Sequence, residues 1–286
     1  MTSKLTFDWK LFGGKMYIEI YSSDELIETS ILNDIMAGAQ TESLRLQSIF
    51  NLYDVNSELS RLNRERKLEV SKEMREVLVL ALKLCELTDG MYDITLGQNI
   101  LQRKSGKELK KVACSYKDVL IKRNVVTLNN PEVIIDLGSI AKGYITDKIA
   151  EYLREYGVEN GMIDSRGDIR FFGSQENIIE IQHPRIKSDA LCKIQLKDKS
   201  VATSGDYNQF DKTYEKNHII NSKDLISITV VADALTLADG LATALFVCDK
   251  KIRKDLLTEF NNVKVLSVDK SLRVEMFNGF EKLLIK

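Results

Sequence analysis

The sequence predicts an α+β fold, with largely antiparallel sheets flanked by helices, and three observations carry that expectation. Short runs alternate apolar and polar side chains, as in residues 15–21, where Met16, Ile18 and Ile20 fall on one side and Tyr17, Glu19 and Tyr21 on the other. Longer runs repeat apolar residues at helical spacing, as in residues 70–87. The two kinds are mixed without the regular strand–helix alternation of a parallel sheet. The chain is long enough for one large domain or two intimately joined α+β subdomains. With two prolines, no internal repeat and no low-complexity tract, we read residues 1–286 as a single domain.

Taken in order, Phe12, Gly13 and Gly14 lead into the strand at 15–21. A helix is expected over about 24–48, with Leu26, Ile27, Ile31, Ile35 and Met36 buried. A second helix spans 70–87: Ser71 can cap its start, and Met74, Val77, Leu78, Ala81, Leu84 and Cys85 form its apolar face. Residues 98–115 are polar and lysine-rich and suit a helix or a loop. Strands at 124–128 and 133–135 are expected to pair around the Asn129-Asn130-Pro131 turn. Further strands are expected at 178–182, 192–196, 200–202, 227–231 and 263–268, with helices at 235–248 and 252–260.

Residues 134–173 form the unit around which the rest is arranged: strand, glycine turn, helix, turn and second strand. Ile134 and Ile135 end an apolar run, Gly138 permits a turn, and a helix starts near Ala141. Ile145, Ile149, Tyr152, Leu153 and Tyr156 share one face, and Gly157 suits the residue after the helix. A helix start after a strand offers unpaired N–H groups and partial positive charge, which suits a pyrophosphate, although the same arrangement is common as plain structure.

Composition narrows the function classes. The chain has 44% hydrophobic and 29% charged residues and a formal net charge of −1, so no global field draws it to nucleic acid or an anionic membrane. No stretch approaches the roughly 20 apolar residues of a spanning helix. The first residues carry no apolar signal core or lipobox-like cysteine, so a cytoplasmic location is expected unless an export segment has been removed. Cys85, Cys114, Cys192 and Cys248 are widely spaced without a CxxC, which favours four reduced, mostly structural thiols.

Two places could carry chemistry. Asp239 and Thr243 stand four apart in a helix whose Leu235, Ala238, Leu241, Ala242, Leu245 and Phe246 are apolar, so they share a face. A carboxylate and a hydroxyl are hard oxygen donors suited to Mg²⁺, which also takes waters and substrate phosphates. Equally, Thr243 could bond back to its own helix and Asp239 could serve a structural partner. His218 opens HIIN before a polar turn; it suits a packed or capping role, and as a neutral imidazole it also suits proton transfer near pH 7. His183, beside Pro184, suits a loop.

The stretch DLGSIAKGYITDKIAEYL, followed by SRGDIR, resembles the FAD:protein FMN transferase family, also known as the ApbE family of thiamine-biosynthesis lipoproteins. LYDVNSELSRLN at 52–63, TDGMYDITLG at 88–97, VATSGDY at 201–207, HIIN at 218–221 and ITVVADALTLADGLATALFV at 228–247 extend the resemblance over nearly the whole chain. The resemblance implies an ApbE-like, T-fold-related architecture, FAD as substrate, and a Mg²⁺ site of Asp239, Thr243 and an oxygen from Ser139. It implies that Tyr53 packs on the isoalloxazine, that Met91, Tyr92 and Asp93 meet the adenosine half, and that Asp136 and Lys142 lie at the ligand, Lys142 near the diphosphate. Phe12 in its glycine turn and Ile220 are implied at the flavin nucleotide, and His218 as general base or diphosphate-positioning group, with Asp147 behind them. Arg166 stands where the family has the first of two glycines, and HIINSKD lacks the usual proline and glycine.

The function implied is a Mg²⁺-dependent transferase that moves FMN from FAD onto a threonine of an acceptor protein, releasing AMP. With water as acceptor the same site is an FAD pyrophosphatase; without turnover it is a flavin-binding protein. Many relatives are exported lipoproteins, so the N-terminus departs from the commoner pattern.

Overall fold

The computed structural model describes residues 3–22, 29–104, 112–206 and 224–285. Eight antiparallel strands form the central sheet, in the order β1 (Ser3–Leu11), β2 (Gly14–Ser22), β6 (Gly161–Ser165), β7 (Asp168–Phe172), β10 (Ser200–Gly205), β11 (Leu225–Ala232), β12 (Lys264–Asp269) and β13 (Val274–Phe277). A three-stranded sheet runs β3 (Lys67–Glu69), β5 (Val125–Leu128), β4 (Val119–Lys122), and β8 (Glu176–Gln182) pairs with β9 (Ala190–Lys197). The helices are α1 (Thr29–Phe50), α2 (Glu58–Glu65), α3 (Lys72–Leu87), α4 (Gly97–Lys104), α5 (Ala141–Glu155), α6 (Leu235–Val247) and α7 (Lys250–Glu259). The architecture is the expected α+β.

Strand periodicity divides the core in two. Phe172, Ala202, Val230 and Val265 point into a large core shared with the helices, whereas their neighbours Phe171, Val201, Val231 and Leu266 point into a smaller core with Ile181 and Ile194 of the β8–β9 hairpin and Phe280. Cover on both faces explains why β11 has no polar-out pattern: all of its residues are buried. Strand β1, outside the expected set, shows the alternation in Phe7, Trp9 and Leu11, and the Trp9 indole N–H donates to Ser43 Oγ at 2.8 Å.

The second helix matches its expectation: Ser71 accepts from the Met74 N–H at 3.1 Å, and all six apolar residues named for its face are buried. Several other expectations need correction. In α1, Ile31 is 52% exposed. The buried stripe runs through Leu32, Ile35, Met36, Ala39, Leu46 and Phe50, and Ile31 stands roughly a quarter turn off it. Leu26 and Ile27 lie outside the described residues. Tyr156 is exposed because the helix stops at it: Gly157 takes φ +87° and Tyr156 stacks on Tyr152 with centroids 4.5 Å apart.

Strand β5 does not pair with residues 133–135. It pairs with β4 and β3, the hairpin turning at Arg123 with φ +55°, and Ile134 makes only an isolated parallel bridge to Leu96. The segment before α5 is held instead by a side chain. Asn63 Nδ2 donates to the Ile135 carbonyl at 2.9 Å and its Oδ1 accepts the Ile135 N–H at 2.8 Å, while the Asp136 N–H donates to the Ile94 carbonyl. A buried asparagine thus stands in for a strand neighbour and ties 52–63 to the segment before α5, while the backbone bond to Ile94 ties in 88–97.

The second strand of the central unit is a hairpin, β6–β7. Arg166 and Gly167 form its turn with φ +64° and +93°, and Phe12 and Gly13 turn β1 into β2 with φ +46° and +70°. Positive φ at both central residues marks the turn that matches sheet twist. The β2–β6 register, Met16 opposite Ser165, puts both turns at one end of the sheet. Arg166 lies across Gly14, where an added Cβ would fall 2.3 Å from its Cδ.

Candidate active site at the crossing of two helices

Helices α5 and α6 touch at Gly143, where a Cβ would lie 2.5 Å from the Leu235 carbonyl oxygen. Each helix is capped by an aspartate of the other. Asp147 of α5 accepts from the Leu235 N–H at 2.9 Å, the Thr236 N–H at 2.7 Å and the Thr236 hydroxyl at 2.6 Å. Asp239 of α6 accepts from the Gly143 N–H at 3.1 Å. A carboxylate at a helix start meets both orphan N–H groups and the positive end of the dipole.

The Asp239 end carries more charge. Lys142 Nζ lies 3.0 Å from both Asp239 oxygens and 2.7 Å from Asp168 Oδ2, and Asp168 Oδ1 accepts from the Thr203 N–H at 3.3 Å. All three side chains are buried or nearly so, at 20%, 11% and 7% exposed for Lys142, Asp168 and Asp239. Burial pushes the Asp239 carboxyl up to about 7, Asp168 adding to that push and Lys142 opposing it. Burial pulls on the Lys142 ammonium in the opposite sense, but the two carboxylates outweigh it and hold the lysine charged.

The turn before α5 meets this cluster. The Tyr92 hydroxyl and Ser139 Oγ lie 2.8 Å apart, and burial holds the Tyr92 phenol well above its ordinary value. One residue along, a Cβ on Gly240 would lie 3.3 Å from Ile140 Cδ1, so the turn and α6 are in contact. Asp136 Oδ1 accepts from the Gly138 N–H at 2.8 Å, which shapes the turn. Thr243 Oγ1 lies 3.2 Å from Ser204 Oγ.

Lys142 and Asp239 are therefore in direct contact, and Tyr92 and Ser139 form a second contact on the turn packed against α6. Thr243 lies one turn beyond Asp239 on the same helix. Asp93 faces inward: its Oδ1 accepts from the Thr95 N–H and hydroxyl and its Oδ2 from the Tyr116 N–H, which orders its own loop. Met91 packs against the large core, and Phe12 sits at its hairpin turn with its N–H donating to Gln47 Oε1. Tyr53 is 55% exposed between α1 and α2. His218 and Ile220 lie outside the described residues; Asp206 and Leu225, which flank that segment, stand at the same sheet end as Asp168. His183 serves its loop, Nδ1 accepting from the Arg185 and Ile186 N–H groups. None of the four cysteines is in a disulfide among the described residues.

The one cluster member outside the expected set is Asp168. Its signal is in SRGD, where Arg166 draws the eye as the unusual residue, yet Asp168 is the one whose carboxylate turns inward.

The donor set fits a hard cation. An ammonium astride both oxygens of Asp239 marks a place where positive charge is held; Thr243 stands one turn along the same helix, and Ser139 lies on the turn packed against that helix. Among the described residues no group of three or more His, Cys, Asp or Glu side chains is placed to hold a metal, so a cation here also needs substrate or water oxygens. No described helix is long and apolar enough to cross a membrane.

These features define an α+β protein with a charged, oxygen-rich cluster of side chains at one sheet end, beside a helix start. The chain belongs to the ApbE family, whose model matches residues 12–267. It is 31% identical over 266 residues to the FAD:protein FMN transferase of Vibrio cholerae, covering 81% of this chain and 79% of that one, and 28% identical over 334 residues to that of Haemophilus influenzae, covering 99% and 92%. Among solved structures it resembles the ApbE protein of Thermotoga maritima, with TM-score 0.87 and 25% identity over 99% of this chain and 100% of that one. The flavin transferase ApbE of Vibrio cholerae superposes with TM-score 0.85 at 24% identity, with the same coverage.

Proposed function

We propose that this chain is a Mg²⁺-dependent flavin transferase that binds FAD and moves its FMN half onto a threonine hydroxyl of an acceptor protein, releasing AMP. Family membership and the flavin-transferase activity for which the relatives are named support flavin transfer. The observation that carries the site assignment is the buried Asp239 carboxylate, held by an ammonium and a helix-start N–H, one turn from Thr243.

Asp239, Thr243 and an oxygen of Ser139 hold Mg²⁺, which when bound neutralises charge on the diphosphate. The start of α5 brings Lys142 near the diphosphate, its ammonium held by Asp168 and Asp239. Tyr53 offers an exposed ring to the isoalloxazine; Phe12 and Ile220 border the flavin nucleotide, and Asp136 shapes the turn beside it. The Met91-Tyr92-Asp93 segment borders the adenosine side, with Asp93 ordering its loop from within. His218 takes the proton of the threonine hydroxyl as its oxygen bonds to the FMN phosphorus, and the phosphorus–oxygen bond to AMP breaks, so the protein supplies positioning and charge rather than a covalent intermediate.

Incubation with FAD, Mg²⁺ and an acceptor protein carrying a flavinylation threonine should yield covalent FMN on the acceptor and an equal amount of AMP. FMN and AMP without acceptor would make it a pyrophosphatase, and bound FAD without AMP would make it a flavin-binding protein.

A further inference from the structure

We propose that Asp168 is a positioning residue that takes over the Lys142 ammonium when a divalent cation occupies Asp239. The inference rests on the cation site proposed above. Lys142 Nζ sits on both Asp239 oxygens, so a cation on those oxygens and the ammonium cannot share the place without strong like-charge repulsion. An ammonium this buried is not left without a carboxylate. Asp168 provides one: its contact is the shorter, 2.7 Å against 3.0 Å, and its other oxygen is fixed by the Thr203 N–H of β10, so its position is set by the sheet rather than by either site helix. The lysine stem needs only to swing from shared contact to Asp168 alone. Without Asp168 the ammonium has no second carboxylate among the described residues and stays on Asp239, in competition with the cation.

The test is calorimetric titration of Mg²⁺ into the protein, alone and saturated with FAD, for the wild type, D168N, K142M, the D168N/K142M double variant and D239N. D168N should weaken Mg²⁺ on the order of ten-fold, and K142M should tighten it by a similar factor. In the K142M background D168N should change little, because the residue it serves is gone. Equal weakening by D168N in both backgrounds would mean that Asp168 acts only through its field, and the proposal would be overturned. If the wild type takes up no Mg²⁺ in either state, or D239N takes it up equally well, the cation site itself falls and the inference with it. Should K142M fail to fold, nitrogen-15 spectra of the lysine ammonium groups decide: the Lys142 signal should move on Mg²⁺ addition in the wild type and not in D168N, and a signal unmoved in the wild type overturns the proposal.

Discussion

At one end of the α5–α6 crossing Asp147 accepts three donors from the first turn of α6; at the other Asp239 accepts a single backbone N–H of α5 and shares an ammonium with Asp168. The geometry is the same reciprocal cap, and both carboxyls are pushed up by burial. The difference lies in what satisfies them. The Asp147 donors belong to the helix it caps, so they cannot leave without unwinding that helix. Most of what holds Asp239 is one flexible lysine, which another cation can replace. A closed cap is structure; a cap completed by a movable charge is a place for chemistry.

That contrast predicts a crossed pair of outcomes. Asp239→Ala removes one of two carboxylates around Lys142 and leaves Lys142 and Asp168 as a neutral pair, so the fold should survive with a loss of about 1 kcal/mol in urea unfolding. AMP release from FAD should fall by about 10³-fold, the scale of losing a positioned charge at a phosphoryl centre. Activity within a few-fold of wild type would remove Asp239 from the site and break the comparison.

Asp147→Ala should do the reverse. It strips three bonds from the start of α6 and takes the carboxylate from beside Arg170, which lies 3.9 Å away and whose Nη1 already has no hydrogen-bond partner among the described residues. Stability should drop by about 2–4 kcal/mol, with Asp147→Asn losing less, and flavin transfer per folded molecule should stay within a few-fold of wild type. A stable but inactive variant would place Asp147 in the chemistry instead.

The sequence shows the carriers of this arrangement but not the arrangement. Residues 72–87 and 235–247 announce helices with defined apolar faces because neighbours a turn apart settle the matter locally. Ile31 misled because an apolar residue at the margin of a stripe looks like one inside it. Thr243 and Asp239 were visible as a pair at helical spacing, and Lys142 only through its resemblance to a family motif. The contacts of Lys142 with Asp168 and of Asp147 with Leu235 join elements far apart in the chain, and nothing local to either partner specifies the other. Asn63, which holds Ile135 across two motifs, was hidden for the same reason: a polar residue inside a recognised motif says that it matters without saying which backbone it meets.

The smallest expected effect is a pH dependence at the Asp239 end of the crossing. Burial raises the folded-state value of Asp239 to about 7, against an ordinary 3.8. The folded protein then binds this proton more tightly than the unfolded chain does, so the group favours the folded state most fully below pH 4, and that contribution is lost as pH rises toward 7. Asp239→Asn cannot titrate and lacks this slope. Unfolding free energies measured without divalent cation at pH 5 and pH 8 should therefore show the variant gaining on the wild type at the higher pH, by on the order of 1 kcal/mol once the opposing Lys142 is allowed for. Added Mg²⁺ should shrink the gap at pH 8 by stabilising only the protein that keeps its carboxylate. Equal pH slopes in the two proteins would mean that Lys142 holds Asp239 ionised throughout, and a charge that firm would be no more movable than the helix donors around Asp147.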